Sequence, residues 1–288
     1  MKKASIICAS LLLGICLLGS CGKGASTDKQ PAQKTTVKKK KDKKVDKDIF
    51  FYTSQHRKDK FQPTEPKLGF TDQILSINDN EFKGNENIQE VFVSPKIEHI
   101  APSAFEDCKN LAEVHYSGEM KVLNDNAFRG CSSLKSLDVD VYTVGLSTYE
   151  GCSSLESVKF GDHLWWIREK AFAGCTSLKR LLLGITLEKL EDDAFAGCTA
   201  MEEYAVPQAM KNRLFGVFNE CPNVKTIYIL STEFFTVPKN CTPNPKCTIY
   251  VPDAFMKQFQ GDAEWAKFAG IKPLSESKYY TAEGFWKK

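Results

Sequence analysis

The chain has 288 residues, 42% of them hydrophobic and 26% charged, with a formal net charge of +3. Setting aside the two lysines of the first 20 residues, and the ten lysines and four aspartates of residues 22–48, leaves 27 basic against 32 acidic residues. The rest of the chain is therefore about five units negative, which argues against nucleic acid as a partner: the basicity is local to the run Lys38–Lys41, Lys43 and Lys44.

Lys2 and Lys3 precede an apolar stretch from Ile6 to Leu18, and Leu18-Gly19-Ser20-Cys21 comes next. A basic end, an apolar run too short to span a bilayer and a small-residue cleavage site make residues 1–20 a lipoprotein signal peptide. The tetrapeptide resembles a bacterial lipobox, which makes Cys21 the lipidation site and the new first residue; Cys16 fits less well because Ile15 is bulky before the cut. Two or three acyl chains bury enough methylenes to fix the chain to a membrane. Residues 21–48 hold the lipidated cysteine and a lysine-rich stretch too poor in apolar residues to fold, a flexible tether. A lysine run beside an anchor reads as a solvated spacer.

Residues 49–80 mix polar residues with Phe50, Phe51, Tyr52, Phe61 and Phe70, and read as an N-terminal cap on a repeat array. From residue 81 to 230 the chain repeats. Aromatic anchors stand at Phe82, Phe105, Phe128, Tyr149, Phe172, Phe195 and Phe218, 23 residues apart except for the 21 between Phe128 and Tyr149. In the copy that starts at Phe172, Leu178, Leu181 and Leu183 form one apolar cluster and Leu187 with Leu190 a second. The period-two ending puts Leu181 and Leu183 on one side of a strand and Leu182 on the other. No copy can cover its own apolar set, so the copies must stack. The expected fold is a β-rich repeat solenoid of about seven units with terminal caps. The short copy has lost two residues in the turn between Val139 and Val141.

The spacing L-x-x-L-x-L, an apolar pair three apart, and then A-F-x-G-C, as in Ala127–Cys131, Ala171–Cys175 and Ala194–Cys198, resembles the BspA-like or treponemal type of leucine-rich repeat. The resemblance covers roughly residues 75 to 230. It implies a solenoid used for binding at bacterial cell surfaces, usually without catalysis, and it names no ligand. Residues 231–288 read as the C-terminal cap and tail. Thr248–Pro252 predicts a last strand, Asp253 a helix N-cap, and Trp265, Phe268 and Ile271 the residues that close the stack.

Eleven cysteines in an exported chain would suggest a disulfide framework, but the spacing points elsewhere. Cys108, Cys131, Cys152, Cys175, Cys198 and Cys221 share one repeat position, where Asn85 stands in the first copy, so they form a structural column of thiols in tight turns. A bridge between Cys241 and Cys247 is left open. His56, His99, His115 and His163 do not share a face within any one copy, no phosphate-binding glycine loop exists, and each copy has its own cysteine. Neither catalytic residues, metal ligands nor a cofactor are expected.

Two outward faces remain. On the first strands the free positions are Phe92, His115, Asp138, Lys159, Leu182, Ala205 and Tyr228; on the second they include Tyr142, Trp165 with Trp166, and Lys211 with Asn212. The candidate binding residues are Phe92, His115, Lys159, Leu182 and Tyr228 on one face and Tyr142, Trp165 and Trp166 on the other, because large aromatic groups there exceed what solubility asks for. The expected function is non-catalytic binding of a protein or glycan ligand by a lipoprotein of the bacterial envelope, at the outer membrane or cell surface. Adhesion leads; capture of a glycan or nutrient, or a structural envelope role, are the alternatives.

Overall fold

The computed structural model describes residues 48–208, 222–237 and 246–287. The leader, Cys21 and the tether lie outside the described residues, as do Lys211, Asn212, Phe218, Cys221 and Cys241. Among the described residues no helix is long and apolar enough to cross a membrane.

The chain winds as a parallel β-solenoid with two strands in most coils. Strand β1 (Phe50–Tyr52) pairs in parallel with the first strand of the coil series. That series is β2 (Lys67–Phe70), β4 (Glu90–Val93), β6 (Glu113–Tyr116), β8 (Ser136–Val139), β10 (Ser157–Phe160), β12 (Arg180–Leu182), β14 (Glu203–Pro207), β15 (Thr226–Leu230), β16 (Thr248–Val251) and β17 (Gly270–Pro273). The second series is β3 (Ser76–Ile77), β5 (His99–Ile100), β7 (Met120–Leu123), β9 (Val141–Val144), β11 (Trp166–Ile167) and β13 (Lys189–Leu190), joined into one six-stranded sheet. Register obeys the repeat: Val158 sits opposite Leu137 and Leu181, and Ile167 opposite Val144 and Leu190. Both apolar clusters are buried between the sheets.

The third side of each coil is a turn around the aromatic anchor. Phe82, Phe105, Phe128, Tyr149, Phe172 and Phe195 form one stack with neighbouring centroids 5.2–5.3 Å apart. Each turn bends through a residue of positive φ before the anchor, such as Asn126 or Lys170, and a second one before the cysteine, which is glycine in most copies, such as Gly174 at φ 72°, and Asp107 at φ 59° in the Phe105 turn. That second position is why G-C recurs: glycine enters the left-handed region without steric cost. The thiols point along the stack. Cys131 Sγ donates to the Phe105 carbonyl at 3.1 Å and Cys175 Sγ to that of Tyr149 at 3.3 Å. In the first copy Asn85 fills the same place by accepting from the backbone of Asn87 and Ile88 and donating to Pro63. Cys247 is a free buried thiol donating to the Val224 carbonyl.

The ends are closed by aromatic groups turned out of the stacking geometry. Tyr52 meets Phe82 edge-on at 76°, which ends the ring column; helix α1 (Ser54–Lys58), capped by Thr53, adds an Arg57–Glu81 ion pair at 2.6 Å. At the other end Phe259 of helix α2 (Met256–Gly261) packs edge-on against Phe234 and Trp265. The C-terminal cap departs from the sequence expectation at two points. Thr248–Val251 is not the last strand, because β17 pairs beyond it. Asp253 is not a helix cap: its carboxylate accepts from the backbone and hydroxyl of Ser275 and so ties α2's approach to the tail.

Leu182 and Tyr228 depart from expectation as well. The tail beyond β17 folds back over the first-strand sheet, so Leu182 and Tyr228 are only 5% and 4% exposed and are not free to meet a ligand. Tyr279 and Tyr280 lie 5.8 and 5.3 Å from Tyr228, Tyr280 donates its hydroxyl to the Leu183 carbonyl at 3.0 Å, and Trp286 stacks on Tyr280. Apolar groups facing outward on successive strands need a cover, and an aromatic segment of the same chain supplies it.

Phe172→Ala removes a ring packed between two others and should cost about 3 to 5 kcal/mol, seen as a matching loss in denaturant unfolding; unchanged stability would refute the ring column. Burial also pushes the Cys108 and Cys152 thiols up to about 12. Iodoacetamide at mildly alkaline pH should therefore leave the peptides containing Cys108, Cys131, Cys152, Cys175 and Cys198 unlabelled in the native protein and label all five after unfolding, as read by mass spectrometry.

Candidate functional site

The outward surface is shaped by the coil of 21 residues. With two residues gone, Asp140 alone links β8 to β9, and its carbonyl accepts from Met120 at 2.8 Å in the coil before. Neighbouring first strands pair along the series except β6 and β8, which belong to separate sheets. The coils stay joined on either side of that opening, through Lys135 N to Ala112 O and through Met120 N to Asp140 O. Tyr116 occupies the strand position held by Val93 and Val139 in the adjacent coils, and its hydroxyl reaches 3.3 Å from that of Tyr149. Tyr149 is the one member of the ring stack with a hydroxyl, and a buried hydroxyl needs a partner. Burial holds both phenols well above their ordinary range. The larger side chain and the shorter coil meet at the opening, which forms a cleft of about 670 Å³ lined by Glu113, His115, Tyr116, Lys135, Asp138 and Asp140.

On this first face the candidate residues separate into two groups. Phe92 is half-buried and stacks on His115 at 4.7 Å, while Lys159 stands exposed, 3.5 Å from Asp138 and 5.6 Å from the Trp286 ring. The His115 ring is held by Glu90 at 2.7 Å and Glu113 at 3.5 Å. Leu182 and Tyr228 form the second group, covered by the tail. The accessible part of this face is thus Phe92 to Lys159.

On the second face an open groove of about 810 Å³ runs over four coils, lined by His99, Lys121, Val122, Tyr142 and Trp165 among others. Tyr142 is 38% exposed. Trp165 and Trp166 are both half-buried with centroids 5.5 Å apart, but they differ in role. Trp166 does not line the groove; its indole donates to Glu191 at 3.0 Å and the Arg168 guanidinium lies over its ring. Lys189 sits over both rings at 5.2 and 5.1 Å. Trp165 therefore faces the groove on a fixed support, and Tyr142 and Trp165 form the aromatic surface there.

The turn between the faces carries a constellation that a search within single copies does not find. Glu119, Asp140 and His163 each stand directly before the second apolar cluster of successive coils, so the winding brings them together. Their ligand atoms lie within 4.8 Å of one another, as do those of Glu90, Glu113 and His115. His163 Nδ1 is 2.8 Å from Asp140 Oδ2, and this contact raises the His163 pKa above its ordinary value. Reading down one repeat position, at intervals of 21 and 23, is the signal that would have found this set.

A match to a family model agrees with this repeat. The sequence matches the BspA type leucine rich repeat region in six copies, over residues 61–141 and 136–246. No curated protein matches it significantly. Among solved structures it is similar to a leucine-rich repeat protein of Treponema pallidum, at 17% identity over 79% of this chain and 92% of that one, with a TM-score of 0.42. It is also similar to a leucine-rich repeat protein of Bacteroides ovatus, at 17% identity over 69% and 64% of the two chains with a TM-score of 0.33. A leucine-rich cell surface protein of Faecalibacterium prausnitzii matches at 18% identity over 74% and 54%, with a TM-score of 0.38. The repeat match spans well over half of the sequence, and the chain belongs to the BspA-type leucine-rich repeat family.

Proposed function

We propose that this chain is a non-catalytic binding protein of the bacterial envelope, exported, lipidated at Cys21 and displayed at the outer membrane or cell surface, where it adheres to a protein of a host or neighbouring cell. Family membership supports the surface role, since repeat solenoids of this type typically bind rather than catalyse. Burial pushes the thiols of Cys108, Cys131, Cys152 and Cys175 up and so disfavours the nucleophilic thiolate in the described part of the column. The observation that carries the reading is the groove in which Tyr142 and Trp165 stand at one repeat position on adjacent coils, two aromatic side chains presented together on a fixed backbone. Binding energy concentrates in a few such side chains.

A glycan is the second reading, because the same groove sets an indole and a phenol beside Glu98, His99 and Lys121, groups that could stack on a sugar ring and bond its hydroxyls.

The paired substitution Tyr142→Ser with Trp165→Ser should lower adherence of the purified domain to immobilised cell or matrix protein by about 30-fold or more, the equivalent of a 2 kcal/mol hot spot. Phe92→Ser should leave it unchanged, and equal binding by both variants would move the site off this groove. Quenching of tryptophan fluorescence by soluble sugars would favour the glycan. Cys21→Ser should abolish incorporation of labelled fatty acid and release the protein from the membrane fraction while its unfolding transition stays the same; continued labelling would place the anchor elsewhere.

A further inference from the structure

We propose that Glu119, Asp140 and His163 form a binding site for a divalent transition ion such as Zn²⁺, on the turn that separates the two faces. The three groups come from three successive coils at one repeat position, in the turns that lead into β7, β9 and β11, and the Met120 N–H bond to the Asp140 carbonyl ties the first two of these turns together. Asp140 and His163 already face each other through a carboxylate oxygen and an imidazole nitrogen at 2.8 Å. Around a tetrahedral ion with ligands at about 2.1 Å, neighbouring ligand atoms lie about 3.4 Å apart. The present contact opens by about half an ångström to admit the ion, and Glu119, within 4.8 Å and exposed, swings inward to complete three protein ligands. Water would take the remaining position.

The surroundings favour a cation. Glu119 and Asp140, with Asp162 near His163, have no lysine or arginine paired to them among the described residues. The second cluster differs in this respect: Glu90 is already paired with Lys67 at 3.6 Å as well as with His115. The first cluster also has supporting contacts of the kind metal ligands need. The backbone N–H of His163 donates to the other oxygen of Asp140 at 3.3 Å, and the Tyr142 ring backs the imidazole at 5.1 Å. Gly161 leaves the room the carboxylate occupies, since a Cβ there would lie 2.2 Å from Asp140 Oδ1. An imidazole with two carboxylates suits Zn²⁺ and its neighbours rather than Ca²⁺ or Mg²⁺, which take oxygen ligands in larger number.

The test is equilibrium dialysis of the full chain against Zn²⁺ at neutral pH, with bound metal measured by elemental analysis. The parent and His115→Ala should hold one equivalent more than His163→Ala, and Glu119→Gln should bind at least about ten-fold more weakly, the low end of what even outer-sphere partners cost. Because Asp140 also holds the backbone of His163, His163→Ala rather than an Asp140 variant is decisive, and its folding is checked by the unfolding transition without metal. Zn²⁺ should raise the unfolding midpoint of the parent and add less in His163→Ala, as linkage requires for a ligand bound to the native state. No uptake by the parent, equal uptake by His163→Ala, or a loss confined to His115→Ala would each overturn the assignment.

Discussion

In a parallel ladder neighbouring strands lie about 4.8 Å apart, and in this chain that spacing governs the stack, because the strand and turn backbone of each coil bonds to the coils beside it. The anchor rings stand 5.2–5.3 Å apart, near face-to-face, since the backbone that carries them repeats at nearly that distance. The turns bond in the same direction: the Phe105 amide donates to the Ala127 carbonyl and the Phe172 amide to that of Ala194. A cysteine at the turn is small enough to fit between them and still offers a donor for the carbonyl of the previous anchor. An interior of this kind is built from columns, and a column tolerates a change only where the coil next to it changes too. Tyr149 brings a hydroxyl into the ring stack, and Tyr116 answers it from the neighbouring strand position.

The short coil shows how such a change reaches the surface. Removing two residues from the turn keeps the strands of the second series in register, with Val122 opposite Thr143 and Leu123 opposite Val144. On the first series the pairing between β6 and β8 is lost. The cost falls on one ladder step rather than on the stack, which is why a solenoid absorbs deletions in its turns. The consequence is a cleft on one side of Asp140 and a groove on the other, both within one coil of the aromatic pair Tyr142 and Trp165.

Much of this was legible in the sequence because periodic burial leaves a periodic record. The anchors, both apolar clusters, the cysteine column and the outward direction of Phe92, His115 and Lys159 all come from counting at 23 and at two. What was not legible has physical reasons. The burial of Leu182 and Tyr228 depends on a segment roughly fifty to a hundred residues downstream, outside the repeat, whose path no period encodes. The difference between Trp165 and Trp166 depends on Glu191 and Arg168, whose side chains choose one indole over the other by geometry alone. The opening between β6 and β8 required knowing that a tyrosine and a missing pair of residues fall beside each other in space.

Function in such a molecule arises from the same geometry that makes it stable. Side chains at one repeat position are about 5 Å apart on adjacent coils, close enough to act together and too close to carry like charge without a partner. Along the first-strand face the sequence meets this by alternation: Lys67 with Glu90, Glu90 with His115, Asp138 with Lys159, and Arg180 with Glu203. Where the acidic groups meet no lysine or arginine among the described residues, as at Glu119 and Asp140, the charge on the turn favours the cation proposed there; where aromatic groups replace charge, as at Tyr142 and Trp165, rings are presented beside the polar groups of the groove. Both departures fall around the one coil whose length breaks the period, so the region released from strict repetition is the region free to acquire a specific ligand.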